Sequence, residues 1–180
     1  GHISPVYYSI LARSGFFPVE ELNTFRLLDS RLQGHPTTHE KLPGVRIASG
    51  SLGQGMSVAL GAAAAKTLNN DDRLIYSLHG DGELQEGQNW EAIMYAGAKQ
   101  VDNIIATIDV NGKQIDGSTD DVLHMGDLQE KFEAFGWKVI SIQNGNDISS
   151  IINGMKQAKN ETNKGKPICV LLHTEMGNGV

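Results

Sequence analysis

The sequence predicts an α/β fold with a mostly parallel sheet flanked by helices. Short apolar runs alternate with amphipathic stretches in the second half of the chain, a pattern typical of repeated strand–helix units. Hydrophobic residues make up 39% of the 180 residues, enough for one domain with a sizeable core. Glycine is frequent without being periodic, so neither a repeat protein nor a low-complexity tract is indicated.

The individual elements follow from hydrophobic periodicity and from breaker residues. The first part of the chain is mainly helical, with helices predicted over residues 4–12, 18–28 and 52–68, and an irregular segment over residues 31–50. The second part alternates strands over residues 74–78, 103–110, 137–142 and 168–173 with helices over residues 85–98, 128–135 and 148–159. Alanine and glycine dominate the helix at 52–68, which predicts that something packs closely against it.

Composition excludes several function classes. The net charge is −6 and no basic run is present, so a nucleic-acid partner is not expected. The longest apolar runs are much shorter than a membrane span. The single cysteine, Cys169, lies in an apolar run and is expected to be a buried, inert thiol. A cytoplasmic location fits these features.

One acidic motif follows the first predicted strand. In GDGELQEGQNWEA, residues 80–92, Asp81 stands between two glycines just past the strand end. Asp109 and Asn111 stand at the end of the next strand. Ligands bind at the carboxyl ends of the strands in such sheets, and adjacent strands lie about 4.8 Å apart. If these two strands pair, Asp81 and Asn111 face the same crevice.

The residue types at this edge point to a metal-bridged diphosphate. One carboxylate and one amide oxygen suit Mg²⁺ or Ca²⁺ better than zinc. Mg²⁺ usually takes few protein ligands and completes its shell with phosphate oxygens and water. Gly80 and Gly82 would let a diphosphate approach the backbone N–H groups, and a helix N-terminus favours anions. A lone Gly-Asp-Gly is more often a surface turn; the Asp-x-Asn after the next strand argues against that interpretation.

These motifs resemble a known family. GDGELQEGQNWEA followed by IDVNGKQIDG resembles the thiamine-diphosphate motif of transketolases. The initial GH and the segments FRLLDSRLQGHP, LPGVRIASGSLGQG and FEAFGWKVI are similar to transketolase segments in the same order. The resemblance covers nearly the whole chain and is strongest to the N-terminal subunit of split bacterial transketolases. It implies that residues 1–180 form the diphosphate-binding module, truncated at both ends relative to the family.

The resemblance also implies roles for individual residues. The Mg²⁺ ligands would be Asp81, the side chain of Asn111 and the main-chain carbonyl of Lys113. The cofactor contacts would be Gly50, Leu52, Gly80, Asp81, Gly82, Glu83 and Asn111. The catalytic residues would be His2, His35, Glu86 and Glu91.

Each catalytic role has a simpler alternative. His2 matches a family histidine near the diphosphate, and His35 matches one that hydrogen-bonds the sugar donor, but His35 could also be an ordinary loop histidine. Glu86 and Glu91 match acids of a hydrogen-bond network that links two cofactor sites across a dimer. Acids in the first turns of a helix are also favoured by the helix dipole alone.

The function implied is the transfer of a two-carbon ketol unit from a ketose phosphate to an aldose phosphate, with thiamine diphosphate and Mg²⁺, in the pentose phosphate pathway. A separate pyrimidine-binding subunit would complete the site. The chain alone would then be inactive, and two copies of each chain would form a heterotetramer, a dimer of heterodimers. Two alternatives are another thiamine-diphosphate enzyme subunit, of deoxyxylulose-phosphate synthase or 2-oxo-acid dehydrogenase type, and a non-enzymatic Mg²⁺–diphosphate-binding module. The GHP and LGQG segments favour the transketolase.

Overall fold

The computed structural model describes residues 2–179, which divide between Leu52 and Gly53 into two compact units. The first unit contains one α-helix, Ser4–Arg13 (α1), and two short 3-10 helices, Val19–Thr24 and Thr38–Glu40. Its other described residues form turns and loops, as predicted for residues 31–50. Its small core consists of Tyr8, Leu11, Ala12, Phe17, Leu32 and Leu42.

The helix predicted over residues 18–28 is wrong, because only the 3-10 helix Val19–Thr24 forms there. Phe25 leaves the helical conformation, with ψ 121°, and Arg26 and Asp29 adopt left-handed φ angles of 61° and 60°. The N–H of Arg26 donates to the carbonyl of Leu32 instead of continuing a helical ladder. Leu22 and Phe25 still pack on the core of this unit. The apolar residues that predicted a helix are therefore buried by a turn.

The second unit is built on a parallel four-stranded sheet. Its strands are Ile75–Gly80 (β1), Ile104–Val110 (β2), Lys138–Ile142 (β5) and Ile168–His173 (β6), in the order β1-β2-β6-β5. A two-stranded hairpin, Lys113–Gln114 (β3) and Gly117–Ser118 (β4), follows β2. All four predicted strands and their parallel arrangement are confirmed.

Helices cover both faces of this sheet. The helices of the second unit are Gly55–Leu68 (α2), Gly87–Ala98 (α3), Thr119–Leu123 (α4), Leu128–Ala134 (α5) and Ile148–Glu161 (α6). α2, α3 and α5 bury residues in one core, which includes Met56, Ile93, Ile108 and Phe132. α6 packs on β5 and β6 over a second core.

Two helix boundaries differ from the predictions. The helix predicted over residues 85–98 is interrupted, because residues Gly82–Gln85 form a 3-10 helix and Glu86 is extended, with ψ 120°, before α3 begins. The helix predicted over residues 52–68 begins only at Gly55. The short α4 was not predicted.

Cys169 lies on β6 and is fully buried, as predicted. Burial raises the pKa of its thiol well above the usual range. No helix within residues 2–179 combines the length and the hydrophobicity that a membrane crossing requires.

Candidate functional site

The ends of β1 and β2 bring the acidic motif and the Asp-x-Asn segment together. The two strands pair in parallel, with Gly80 opposite Asp109. The N–H of Asp81 continues the ladder by donating to the carbonyl of Asp109 at 3.0 Å. The expectation that the two strands pair is therefore confirmed.

Asp81 is held by main-chain groups from both loops. Its Oδ1 accepts the N–H of Gly82 at 2.8 Å, and its Oδ2 accepts the N–H of Gly112 at 2.7 Å. The side chain is buried, and burial raises its pKa, as does the nearby charge of Asp109; the N–H groups of Gly112 and Gly82 oppose this rise. Each carboxylate oxygen has a further lone pair with which to bind a cation.

Asn111 has a fixed orientation beside Asp81. Its Oδ1 accepts the N–H of Lys113 at 2.9 Å, and its Nδ2 donates to Asp109 Oδ2 at 3.0 Å. The other oxygen of Asp109 accepts the hydroxyl of Thr174, which follows β6. Asp109 and Thr174 were not among the predicted site residues.

The two glycines of the motif have different surroundings. A Cβ on Gly82 would lie 2.7 Å from Cβ of Gln114 and 3.5 Å from the carbonyl oxygen of Lys113. A Cβ on Gly80 would meet nothing within 4 Å. Gly82 is therefore required by the packing of the hairpin, whereas Gly80 leaves open space beside the backbone.

Glu83 turns back into the protein. Its Oε1 accepts the N–H of Gly53 at 2.9 Å, and its Oε2 accepts the N–H of Gly80 at 3.3 Å. His79 Nδ1 lies 3.4 Å from Oε2, although neither ring nitrogen of this buried histidine makes a hydrogen bond within residues 2–179. Burial acts to raise the pKa of Glu83, but the contact with His79 and the two N–H groups outweigh it, so the pKa is lowered.

Gly53, which donates its N–H to Glu83, lies in the loop before α2. Its φ is +88°, and a Cβ would lie 2.8 Å from Cβ of Glu86, so only glycine fits. Glu86 itself is exposed, as is Glu91 on α3. Both acids are therefore accessible on the surface of the described chain.

The first unit gathers the remaining predicted residues. The rings of His2 and His35 stack at a centroid distance of 4.8 Å with 23° between their planes. His2 Nε2 lies 3.2 Å from the carbonyl oxygen of Gly50, and a Cβ on Gly50 would lie 3.1 Å from Cβ of His35. Leu52, part-buried, ends the same unit.

A cavity of about 430 Å³ opens along the carboxyl edge of the sheet. Its lining includes Asp81, Gly112, Ser141, Gln143 and His173. Ser141 Oγ lies 3.0 Å from His173 Nε2. Gln143 follows β5 and His173 ends β6, so polar residues from these two strands also line the carboxyl edge.

The donor set fits a hard cation such as Mg²⁺. Within residues 2–179 no group of three or more His, Cys, Asp or Glu side chains could hold a metal ion. Asp81, Asn111 and the carbonyl of Lys113 offer oxygen only, and hard cations that keep water and phosphate ligands need few protein groups.

Comparison with known proteins identifies the family. The family model described as "Transketolase, thiamine diphosphate binding domain" matches residues 1–180. The chain belongs to this family. The chain is 42% identical over its full length to one subunit of an apulose-4-phosphate transketolase of Actinobacillus succinogenes, and spans 63% of that protein. It is 41% identical over 99% of its length to a 6-deoxy-6-sulfo-D-fructose transketolase subunit of Clostridium sp. (strain MSTE9), and spans 64% of it.

A solved transketolase has the same fold. The crystal structure of transketolase from Campylobacter jejuni matches 95% of this chain and 27% of that chain, with a TM-score of 0.84 and 39% identity. The resemblance to the transketolase module and the predicted fold class are both confirmed. The roles assigned to individual site residues stay predictions.

Proposed function

We propose that this chain is the thiamine-diphosphate-binding subunit of a two-subunit transketolase, which transfers a two-carbon ketol unit from a ketose phosphate to an aldose phosphate. The observation that carries the proposal is the meeting of Asp81, Asn111 and the Lys113 segment at the ends of β1 and β2. Membership of the transketolase family adds support. Cytoplasmic location and a place in the pentose phosphate pathway stay predictions.

The residues at this edge suit Mg²⁺ and a diphosphate. Asp81, Asn111 Oδ1 and the carbonyl of Lys113 would hold the cation, and the space beside Gly80 would admit the diphosphate. The N–H of Gly82 is bonded to Asp81, so it must be shared or released to reach a diphosphate oxygen. When bound, thiamine diphosphate supplies the thiazolium that stabilises the transferred carbanion.

The other side chains bind, orient and move protons. Glu83 would fix the loop of Gly53 to the turn that carries Asp81. His35 and His2 are exposed and stacked, so they would donate and accept protons at the sugar oxygens. Glu86 and Glu91 would act across a subunit boundary.

The exposed side of α2 and α3, which lie side by side, would form the partner surface. The outward residues of α2 are small or apolar and include Val58, Ala62, Ala65 and Leu68. Met94 and Tyr95 are about half exposed on α3 beside Glu91, with exposures of 54% and 51%. Such a surface supports assembly with a pyrimidine-binding chain and with a second copy. The isolated chain would lack the groups that the pyrimidine-binding chain supplies, and it would therefore be inactive.

Two relatives support a divided enzyme. Both curated relatives are named as transketolase subunits, and the chain spans less than two thirds of each. The family match favours a transketolase over a deoxyxylulose-phosphate synthase or a 2-oxo-acid dehydrogenase subunit. A non-enzymatic diphosphate-binding module would bind Mg²⁺ and thiamine diphosphate without sugar turnover in the presence of the partner chain.

The experiment replaces the central carboxylate. Asp81→Ala should weaken Mg²⁺-dependent binding of thiamine diphosphate by about 100-fold or more, because it removes a predicted metal ligand. Isothermal titration calorimetry on the chain, alone and with a candidate pyrimidine-binding chain, measures the affinity. Asp116→Ala removes an exposed acid of the neighbouring hairpin and should leave it unchanged. Equal affinity of Asp81→Ala and the unmodified chain, with both folded by circular dichroism, would contradict the proposal.

A further inference from the structure

Asp109 lies between the predicted metal ligand Asn111 and the segment that follows β6. One oxygen of its carboxylate accepts the Asn111 side-chain amide at 3.0 Å, and the other accepts the Thr174 hydroxyl. The N–H of Thr174 donates to the carbonyl of Val110 at 3.1 Å, which extends the pairing of β2 and β6. The half-buried carboxylate of Asp109 is therefore anchored on both sides.

An asparagine ligand must present its oxygen to the metal. The oxygen and nitrogen of its amide are nearly identical in shape, and a half-turn of the side chain exchanges them. Only the oxygen binds a hard cation such as Mg²⁺. The amide of Asn111 thus needs partners that distinguish its two ends.

Two neighbours of Asn111 make this distinction. An ionised carboxylate can only accept, so Asp109 faces the amide nitrogen. A main-chain N–H can only donate, so Lys113 faces the amide oxygen. A half-turn of the amide would set oxygen against oxygen and nitrogen against N–H, losing both bonds together.

We propose that Asp109, held by Thr174, is a positioning residue that orients the amide of Asn111 so that its oxygen is available to the cation. The proposal rests on the proposed function. The hydroxyl of Thr174 would stabilise this contact between Asp109 and Asn111, because it donates to the second oxygen of Asp109 and keeps that carboxylate from rotating.

A purely electrostatic role is the competing explanation. Asp109 lies close enough for its charge to act on Asp81, and a negative charge near the site would attract a cation whatever the orientation of Asn111. Asp109→Asn separates the two roles, because it removes the charge but keeps an oxygen that can accept the Asn111 amide. Asp109→Ala removes both.

The test measures metal affinity and amide orientation. Mn²⁺ binding in the presence of thiamine diphosphate, followed by electron paramagnetic resonance, should weaken by about 10- to 100-fold in Asp109→Ala. Asp109→Asn should stay within about 3-fold of the unmodified chain, as should Thr174→Ser, whereas Thr174→Val should lose several-fold. The side-chain amide signals of Asn111, observed by nitrogen-15 NMR without metal, should shift in Asp109→Ala and Thr174→Val and not in Thr174→Ser.

Asp102 provides the matched control. It is an aspartate just before the start of β2, and it accepts the N–H of Gly165 at 2.8 Å. Asp102→Ala should lower thermal stability but leave Mn²⁺ affinity and the Asn111 amide signals unchanged.

The outcomes separate this inference from the proposed function. If the unmodified chain with its partner binds neither Mn²⁺ nor Mg²⁺ with thiamine diphosphate, the proposed function fails and this inference fails with it. If the unmodified chain binds and Asp109→Asn loses as much affinity as Asp109→Ala, charge is the cause and the positioning role is overturned. Should Asp109→Ala not fold, unchanged affinity and unchanged Asn111 signals in Thr174→Val overturn it equally.

Discussion

Two regions of the molecule hold their predicted site residues by different means. One is the carboxyl ends of β1 and β2, and the other is the loops that carry His2 and His35. Asp81 is only 3% exposed and is fixed by main-chain N–H groups within 2.8 Å. His2 and His35 are exposed and stack on each other. The residues at the strand ends are therefore part of the packed fold, whereas substitution of the exposed histidines should have little effect on stability.

The largest effect is expected for substitution of His35, which should lower activity much more than stability. On the proposed function, His35→Ala should lower two-carbon transfer by about 10²- to 10⁴-fold, because the ring would act as a proton donor and acceptor in the chemical step. The free energy of unfolding should fall by about 1 kcal/mol, because the ring of His35 is exposed and its stacking on His2 is a surface contact. Steady-state kinetics of the chain with its partner and urea unfolding measure the two effects.

His39 serves as the control for this substitution. It is an exposed histidine of the same irregular segment, so His39→Ala should leave both turnover and stability unchanged. His35→Ala could instead lose Mg²⁺–thiamine diphosphate affinity by as much as it loses turnover. That result would contradict the assignment of binding to the strand ends and of proton transfer to the histidines.

The two glycines of the acidic motif should differ in what they contribute to stability and to binding. Gly82→Ala should lower the free energy of unfolding by about 1–3 kcal/mol, because its Cβ would overlap Gln114. Gly80→Ala should leave stability unchanged or raise it by about 0.5–1 kcal/mol. It should still weaken thiamine diphosphate binding, because the methyl group enters the open space where the diphosphate would approach.

Urea unfolding and calorimetry on both variants check this pair. Tight thiamine diphosphate binding by Gly80→Ala would show that the diphosphate does not approach the backbone there. Full stability of Gly82→Ala would show that the hairpin moves freely away from the motif.

The smallest effect is expected in the first unit, where Arg31 donates to both carboxylate oxygens of Glu21. The hydrogen bond from Arg31 lowers the pKa of Glu21. The stabilisation that this pair gives to the folded state is therefore complete above the unfolded pKa of about 4.3, and it is lost as the pH falls through the folded pKa. Solvent screening limits the contribution of this partly exposed pair to the free energy of unfolding to about 0.2–1 kcal/mol. The difference in unfolding free energy between the unmodified chain and Glu21→Gln should therefore shrink from pH 6 to pH 3, and a constant difference would contradict it.

Much of the strand-end site could be predicted because it depends on local patterns. Apolar runs mark the strands, and polar residues at the ends of parallel strands meet at one edge. The contact between Asp109 and Thr174 could not be predicted this way. It joins residues that are far apart in the chain, and it depends on β6 lying beside β2, a strand order that no periodicity encodes.

The errors lie where backbone conformation overrides periodicity. Residues 18–28 have helical spacing, but the left-handed Arg26 and Asp29 turn the chain back to meet Leu32. The 3-10 helix Gly82–Gln85 likewise separates Asp81 from α3, because the Asp81 side chain binds the N–H of Gly82 at the start of that turn. Side-chain preferences alone did not indicate either turn.

The single cysteine on the inner strand β6 has a practical consequence for measuring dynamics. Its thiol is fully enclosed and resists ionisation, and the thiolate is the reactive form. A soluble alkylating reagent can therefore modify Cys169 only when the centre of the sheet opens. With excess reagent and rapid reclosing, the rate of labelling reports the population of the opened state, so one intrinsic atom records how cofactor, metal or partner changes the opening of the whole sheet.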